Sequence, residues 1–306
     1  MCRLTYRQIS VYNKNDRVSD FGDDNTELTF SKYKRLALQT ATVMEHTETL
    51  SDKSIKLKVC GTYIAVLKDN GCVVSANFCR ERFCPMCQKR KSLKQYAQCK
   101  TIADTMRGSY LFLHLVLTVR NCEGAALAGT IDKLYKASRL FFKTPKIERA
   151  FKGAARNLEV TYNAVDRSFH PHLHCLVAVL PSYPTSRYYL RFDTLQEIWR
   201  DCLQVDYLPT VNIKRCDENG FAEISKYCCK PLDLDLPLSE HAKVLDTLNV
   251  ALKGRRLQQY FGVLKDVRQA LSFADDDTED TEKLQLTSDK LVYLIYNHRS
   301  QRYEKQ

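Results

Sequence analysis

Glycine and proline are scarce in this chain, 10 and 8 of 306 residues, which excludes collagen-like, linker-like and low-complexity architectures for the chain as a whole. Long hydrophobic runs are missing as well. The longest, Leu111–Leu113, Leu115–Val119 and Cys175–Leu180, fall far short of the roughly 20 residues that cross a bilayer. No apolar stretch follows Met1-Cys2-Arg3-Leu4-Thr5-Tyr6-Arg7 that would act as a secretion signal. The expectation is a soluble cytoplasmic protein with no membrane partner, long enough for one large core or two ordinary ones.

Acidic residues are outnumbered, 36 against 47 Lys and Arg, for a net charge of +11. The excess is local. Phe78–Lys100 holds seven bases and one acid, and Thr130–Arg156 holds eight bases and two acids. Neither patch has a long clean amphipathic stripe, so a nucleic acid is expected as the polyanionic partner in preference to a membrane surface. Cysteine, by contrast, is plentiful: 13 residues, an odd number, without a secretion signal. Thiolate metal binding is then a better expectation than a disulfide framework.

Four regions are expected: a polar N-terminal arm at 1–55, a cysteine-rich and basic region at 56–106, a mixed α+β domain at 107–271, and an acidic linker with a tail at 272–306. Tyr33–Glu45 has the spacing of a short helix, Ile55–Cys60 alternates as a strand, and Thr62–Leu67 with Cys72–Ala76 reads as a hairpin closed by Asp69-Asn70-Gly71. Helices are expected over Lys89–Met106, Thr130–Phe142, Leu195–Leu203, Phe221–Lys230 and, with breaks near Gly254 and Gly262, Val244–Leu271. Strands are expected at Tyr110–Arg120, Leu158–Tyr162, His172–Leu180 and Val211–Lys214. Leu291–Tyr296 reads as a strand or a short helix. This mixed order favours an α+β or split-βαβ core over a bundle.

Two clusters carry chemistry. Cys79, Cys84 and Cys87 have a C-x4-C-x2-C layout in which Cys84 and Cys87 point two thiolates at one ion. A structural zinc needs a fourth ligand; Cys60 is expected to supply it, with Cys72 and Cys99 as competitors. In the segment His170-Pro171-His172-Leu173-His174, strand periodicity puts His172 and His174 on one face, where they can converge on a divalent ion. If the strand around Leu158–Tyr162 pairs with this one, Glu159 reaches the same face. Two imidazoles and a carboxylate suit Mn²⁺ or Mg²⁺, with positions left for water or a phosphate oxygen. In Glu223–Lys230 a helix would place Glu223, Tyr227 and Lys230 on a shared face.

Taken together, these segments resemble the initiator (Rep) proteins of small rolling-circle plasmids, a family within the HUH endonucleases. Tyr110–Asn121 resembles the first family motif, an apolar strand ending in Thr118-Val119-Arg120-Asn121; His170–His174 resembles the metal motif, and Glu223–Tyr227 the nucleophile motif. The cysteine cluster with Lys89-Arg90-Lys91, and Leu252–Arg255 with Phe261-Gly262, also match. The resemblance spans roughly two thirds of the chain, from Cys60 to Leu271. His114 departs from it, because a small hydroxyl residue is common there; this histidine either joins the metal site or packs, and packing is the favoured expectation.

The resemblance implies an HUH nuclease core: a central antiparallel sheet with flanking helices, palm-like, beside a small zinc module. It implies that Tyr227 attacks origin DNA presented as a single strand or extruded hairpin, forming a 5′-phosphotyrosyl bond and a free 3′-OH primer. Glu223 would activate water at termination. Arg120, Lys226, Lys230, Arg82, Lys89, Arg90 and Lys91 would contact DNA. A host helicase, a host polymerase and a second copy of the chain are the implied partners. The alternatives are a non-catalytic zinc-containing DNA-binding protein and an HUH transposase.

Overall fold

The computed structural model describes residues 29–68, 73–225, 236–273 and 291–306. Contacts divide the chain into two units, one of residues 1–97, 237–242 and 272–306, the other of residues 98–236 and 243–271.

The first unit begins with α1 (Thr29–Met44), whose Ala37, Ala41 and Met44 are fully buried at helical spacing. A 3-10 turn leads to α2 (Ser54–Val59), where the alternating text of Ile55–Cys60 predicts a strand. Burial explains the helix: Ser54 and Leu57, three apart, are buried, whereas Ile55 and Val59 are 60% and 51% exposed. An extended chain would have put Ile55, Leu57 and Val59 on one face together. Strands β1 (Tyr63–Leu67) and β2 (Val73–Ala76) pair antiparallel, and the expected turn residues between them lie outside the described residues. Helix α3 (Pro85–Thr105) starts in this unit.

The second unit continues with β3 (Leu111–Thr118), α4 (Gly124–Lys143), α5 (Pro145–Ala150), β4 (Phe151–Asn163), β5 (Ser168–Val179), α6 (Phe192–Leu203), β6 (Val211–Arg215) and α7 (Glu218–Ile224). It closes with the part of α8 (Leu238–Leu252) from Lys243 onward, β7 (Gln258–Phe261) and α9 (Gly262–Ala270), so the expected helix over Val244–Leu271 contains a strand. The chain then returns to the first unit as β8 (Leu291–Asn297) and β9 (Arg302–Lys305).

Two antiparallel sheets result, of order β2-β1-β8-β9 and β6-β3-β5-β4-β7. The second positions the candidate site. Strand β5 lies between β3 and β4 and is buried along nearly its whole length. Coverage of both faces explains why its sequence is apolar without strict alternation. Helix α4 packs Leu127, Ile131, Leu134 and Phe141 inward, and Phe141 meets Trp199 of α6 edge-on at 5.8 Å. The Trp199 indole donates to Thr118 O at 2.7 Å, tying α6 to the end of β3. Pro171 is tolerated inside β5 because it lies one residue past the last β3 pair, Thr118↔His172, where the ladder of β3 no longer needs a donor. Gly153 and Gly262 let α9 approach β4 closely: a Cβ on Gly153 would stand 2.8 Å from Phe261 O. The architecture is α+β, with antiparallel sheets flanked by helices.

Candidate active site and metal centres

Strand pairing brings the expected triad together. Glu159 lies directly across from His172 in the β4–β5 ladder, and His174 is two residues further along β5. Their donor atoms form a small triangle: His174 Nε2 is 2.8 Å from Glu159 Oε2, His172 Nε2 is 3.4 Å from the same oxygen, and the two Nε2 atoms are 3.1 Å apart. All three side chains are buried.

The hydrogen bonds around the triangle fix where its protons sit. His172 Nδ1 is 3.1 Å from His170 O, and a carbonyl only accepts, so the proton of neutral His172 is on Nδ1 and its Nε2 carries a lone pair. His174 Nδ1 is 3.0 Å from His114 Nε2, and the two rings stack at 5.2 Å. When that Nδ1 donates, His174 also turns a lone pair inward. Two lone pairs and a carboxylate then face one another, an arrangement that a cation at the centre satisfies. Edges of 2.8–3.4 Å suit three ligands, each about 2.1 Å from one ion. Burial raises the Glu159 carboxyl; in the metal-free protein, hydrogen bonds and charge from His172 and His174 protonated on Nε2 overcome it and hold the group below the usual carboxylate range, and a bound ion would take the place of those protons. The residues fit a divalent ion.

His114 therefore packs, as expected, and also hydrogen-bonds a proposed ligand, which the sequence alone did not show. The signal was its even position with Val116 and Thr118 on one face of β3. The diagonal contact with His174 follows only from the register, which pairs His114 with Leu176. Burial, followed by the charges of His174 and Lys214, lowers the His114 pKa to about 4, while Glu223 and Asp217 pull it back.

Helix α7 covers this histidine: a Cβ on Gly220 would stand 3.5 Å from His114 Cβ. Asp217 caps the helix by accepting from Gly220 N at 2.8 Å, so the expected turn at Asp217–Gly220 is the start of a helix. Glu223 is half-buried on this helix and acts electrostatically on His114. Tyr227, Lys226 and Lys230 lie outside the described residues. Arg120 is exposed just past β3; its guanidinium stacks 4.0 Å from the Tyr207 ring, and its backbone N–H donates to the Tyr207 hydroxyl at 3.0 Å.

A second cluster lies in the first unit. Cys60, Cys79, Cys84 and Cys87 converge, with Sγ separations of 3.5 Å for Cys60–Cys84, 3.6 Å for Cys60–Cys87 and 3.7 Å for Cys79–Cys87. A zinc tetrahedron with bonds of about 2.3 Å has edges of about 3.8 Å, so four thiolates fill it. Backbone N–H groups of Cys79 and Arg80 donate to Cys60 and Cys87 sulfur at 3.3 and 3.2 Å. Cys79 is drawn down by hydrogen bonds from the other three thiols, while Cys84 and Cys87 are pushed up by sharing theirs. Cys99 is elsewhere, buried 3.8 Å from the Tyr260 hydroxyl, and Cys72 lies outside the described residues. Among the expected DNA contacts of this region, Lys89 and Arg90 lie over the Tyr33 and Phe78 rings, Arg82 is half-buried with its carbonyl accepting from Gln88, and Lys91 is exposed.

A family model described as "Replication protein" matches residues 71–304. Among curated relatives, a "Protein rep" of Streptococcus pneumoniae serotype 2 (strain D39 / NCTC 7466) is 30% identical, over 88% of this chain and 89% of its own length. A "Protein rep" of Bacillus sp is 29% identical over 79% of this chain and 89% of its own, and one of Lactiplantibacillus plantarum is 31% identical over 74% and 79%. The chain belongs to the rolling-circle Rep family of the HUH superfamily. No solved structure matches it. The antiparallel sheet with its buried triad is an HUH-like Rep core, and family membership implies DNA as a partner and nuclease-like potential. Among the described residues no helix is long and apolar enough to cross a membrane.

Proposed function

We propose that this Rep-family protein initiates plasmid rolling-circle replication as a metal-dependent, site-specific endonuclease acting on single-stranded or extruded origin DNA. The observation that supports this reading best is the buried triangle of His172, His174 and Glu159, whose inward lone pairs call for a cation. Mn²⁺ or Mg²⁺ held by these three residues would supply Lewis-acid polarisation of the scissile phosphate.

Tyr227 is the nucleophile of this reading. Its phenolic oxygen forms a bond to phosphorus and the bond to the 3′ oxygen breaks, giving a 5′-phosphotyrosyl link and a 3′-OH that primes a host polymerase. The phenolic proton leaves to solvent and the departing oxygen takes one up. Lys226, Lys230 and Arg120 neutralise backbone phosphates beside the cut, and Arg82, Lys89, Arg90 and Lys91 bind DNA further away. Zinc in the four-cysteine site is structural because no ligand position stays open. A host helicase, and a second copy of the chain, complete the replication assembly.

The test is incubation with single-stranded origin DNA and Mn²⁺ or Mg²⁺, followed by a denaturing gel. Wild-type protein forms a covalent adduct. Tyr227→Phe keeps DNA affinity and loses both nick and adduct. An adduct with Tyr227→Phe overturns the assignment and points to Tyr162 or Tyr207.

A further inference from the structure

At the other end of the five-stranded sheet is a surface that the nicking chemistry does not use. The chain leaves β5 at Val179 and passes through a 3-10 turn at Tyr183–Thr185 before α6 begins at Phe192. Three aromatic side chains along this path stand in solvent: Tyr188, Tyr189 and Phe192 are 39%, 54% and 51% exposed.

The segment is braced. Tyr183 is buried against Phe151 at 6.1 Å, and its hydroxyl accepts from Leu190 N at 3.2 Å. Ser186 Oγ accepts from Tyr188 N at 3.2 Å, and Ser186 O accepts from Tyr189 N at 3.0 Å. The backbone is therefore held by its own hydrogen bonds with buried Leu190 as the anchor, and the Tyr189 ring leans on Tyr183 at 5.5 Å while keeping about half of its surface in solvent.

Cations alternate with these rings. The Arg187 guanidinium lies 5.0 Å from the Tyr188 ring and donates to its hydroxyl at 2.8 Å. Arg149 and Lys152 come from the end of α5 and the start of β4, beside the Phe151↔Val179 pair, and their charges reach the Tyr188 phenol. Among the described residues Arg149, Lys152 and Arg187 have no carboxylate partner; Arg191 has Asp193 at 3.6 Å. Solvent-facing π surfaces beside cations that no carboxylate neutralises match a polyanion whose bases are open to stacking. A duplex would engage the cations but offer no base face to the rings, and an acidic peptide would not need the rings.

We propose that Arg149, Lys152, Arg187, Tyr188, Tyr189 and Phe192 bind single-stranded DNA at a distance from the cut. From His172 to Val179, β5 covers seven steps, about 23 Å. A single strand kept at the stacked spacing of about 3.4 Å per nucleotide covers that distance in roughly seven nucleotides, and an extended one in fewer. The proposal extends the DNA-processing reading of the triad but is tested without it.

Anisotropy of a labelled oligo(dT) of roughly 24 nucleotides, without divalent ion, reads the interaction. Tyr188→Ala/Phe192→Ala should weaken binding on the order of tenfold or more and leave the salt slope unchanged. Arg149→Ser/Lys152→Ser should lower the slope of log K against log salt by about 1.4, or about 0.7 for each phosphate that is no longer neutralised. All four side chains sit at the surface or half-buried, and thermal unfolding of each variant checks that the fold is intact. Wild-type affinity in either double variant overturns the proposal, as does failure of the parent protein to bind oligo(dT). An equal loss on a blunt duplex overturns base stacking. A negative result leaves nicking by Tyr227 standing, and a failed nicking assay leaves this surface standing.

Discussion

His114 Nε2 lies 3.0 Å from His174 Nδ1, so the proton that leaves His174 Nε2 free for a metal ion has its acceptor on the neighbouring strand. Partners of this kind fix the tautomer of a ligating imidazole and raise its basicity. His114→Phe keeps the stacked ring and removes the acceptor. Its Mn²⁺ affinity, measured by calorimetry, should fall about 10- to 100-fold. His114→Gln, whose amide oxygen can accept in the same place, should recover part of the loss. Nitrogen shifts of metal-free His174 should move away from the Nδ1–H form in His114→Phe. Unchanged affinity in a folded His114→Phe protein excludes the role.

The same histidine makes stability depend on pH. Its pKa is lowered from 6.5 to about 4, first by burial and then by the charges of His174 and Lys214. Between those values the unfolded chain binds a proton that the folded chain refuses, so stability falls as pH drops from about 6.5 toward 4. The ceiling is about 3 kcal/mol for one group with this shift. Urea unfolding of the metal-free protein at several pH values should show a shallower acid loss in His114→Phe than in wild type. Parallel curves for the two proteins would remove His114 as the cause.

Around the cysteine cluster the decisive group is Lys34 of α1, fully buried, with its ammonium donating to Lys58 O at 2.6 Å and Cys60 O at 2.7 Å. Burial lowers its pKa, and the charges of Cys60, Cys84 and Cys79 oppose that shift. Zinc with four thiolates carries a net charge of about −2, which this ammonium offsets in a poorly solvated place. Purified protein should hold one zinc, lost in Cys84→Ser and Cys60→Ser. Lys34→Met should cost about 1–3 kcal/mol from the unsatisfied carbonyls and release zinc faster to a chelator. Zinc retained in Cys60→Ser would remove that residue from the ligand set.

Much of the triad is legible in the sequence because strand periodicity is local. His172 and His174 are two apart, and the short turn between β4 and β5 makes the register with Glu159 the natural one. What the sequence hides is set by distant pairing. The contact of His114 with His174 depends on how β3 meets β5, and β8 reaches β1 from the opposite end of the chain. Ile55–Cys60 misleads for another reason: six residues with alternating lysines fit either period, and only the burial of Ser54 with Leu57 decides for a helix. Strand β7 is hidden within helix-like text because its four residues are all half-buried and carry no alternation.

The role proposed for Glu223 separates two ways of ending a round of replication. It is half-buried on α7, whose Gly220 rests against His114, and its charge reaches that imidazole. It is not among the three donors that meet at the triad, Glu159, His172 and His174. A carboxylate cannot replace tyrosine as the DNA-linked nucleophile, but it can take a proton from water as that water attacks phosphorus. On that account Glu223→Ala still nicks origin DNA, forms the Tyr227 adduct and binds Mn²⁺ as wild type does. It fails only in the hydrolytic cut that releases the protein after one round. Glu223→Tyr should regain termination by transesterification, leaving a second protein–DNA bond. A plasmid with two origins separates the steps, because initiation at one and termination at the other can be scored independently. If Glu223→Ala loses initial nicking and Mn²⁺ affinity together, the carboxylate serves the metal site and the termination account is wrong.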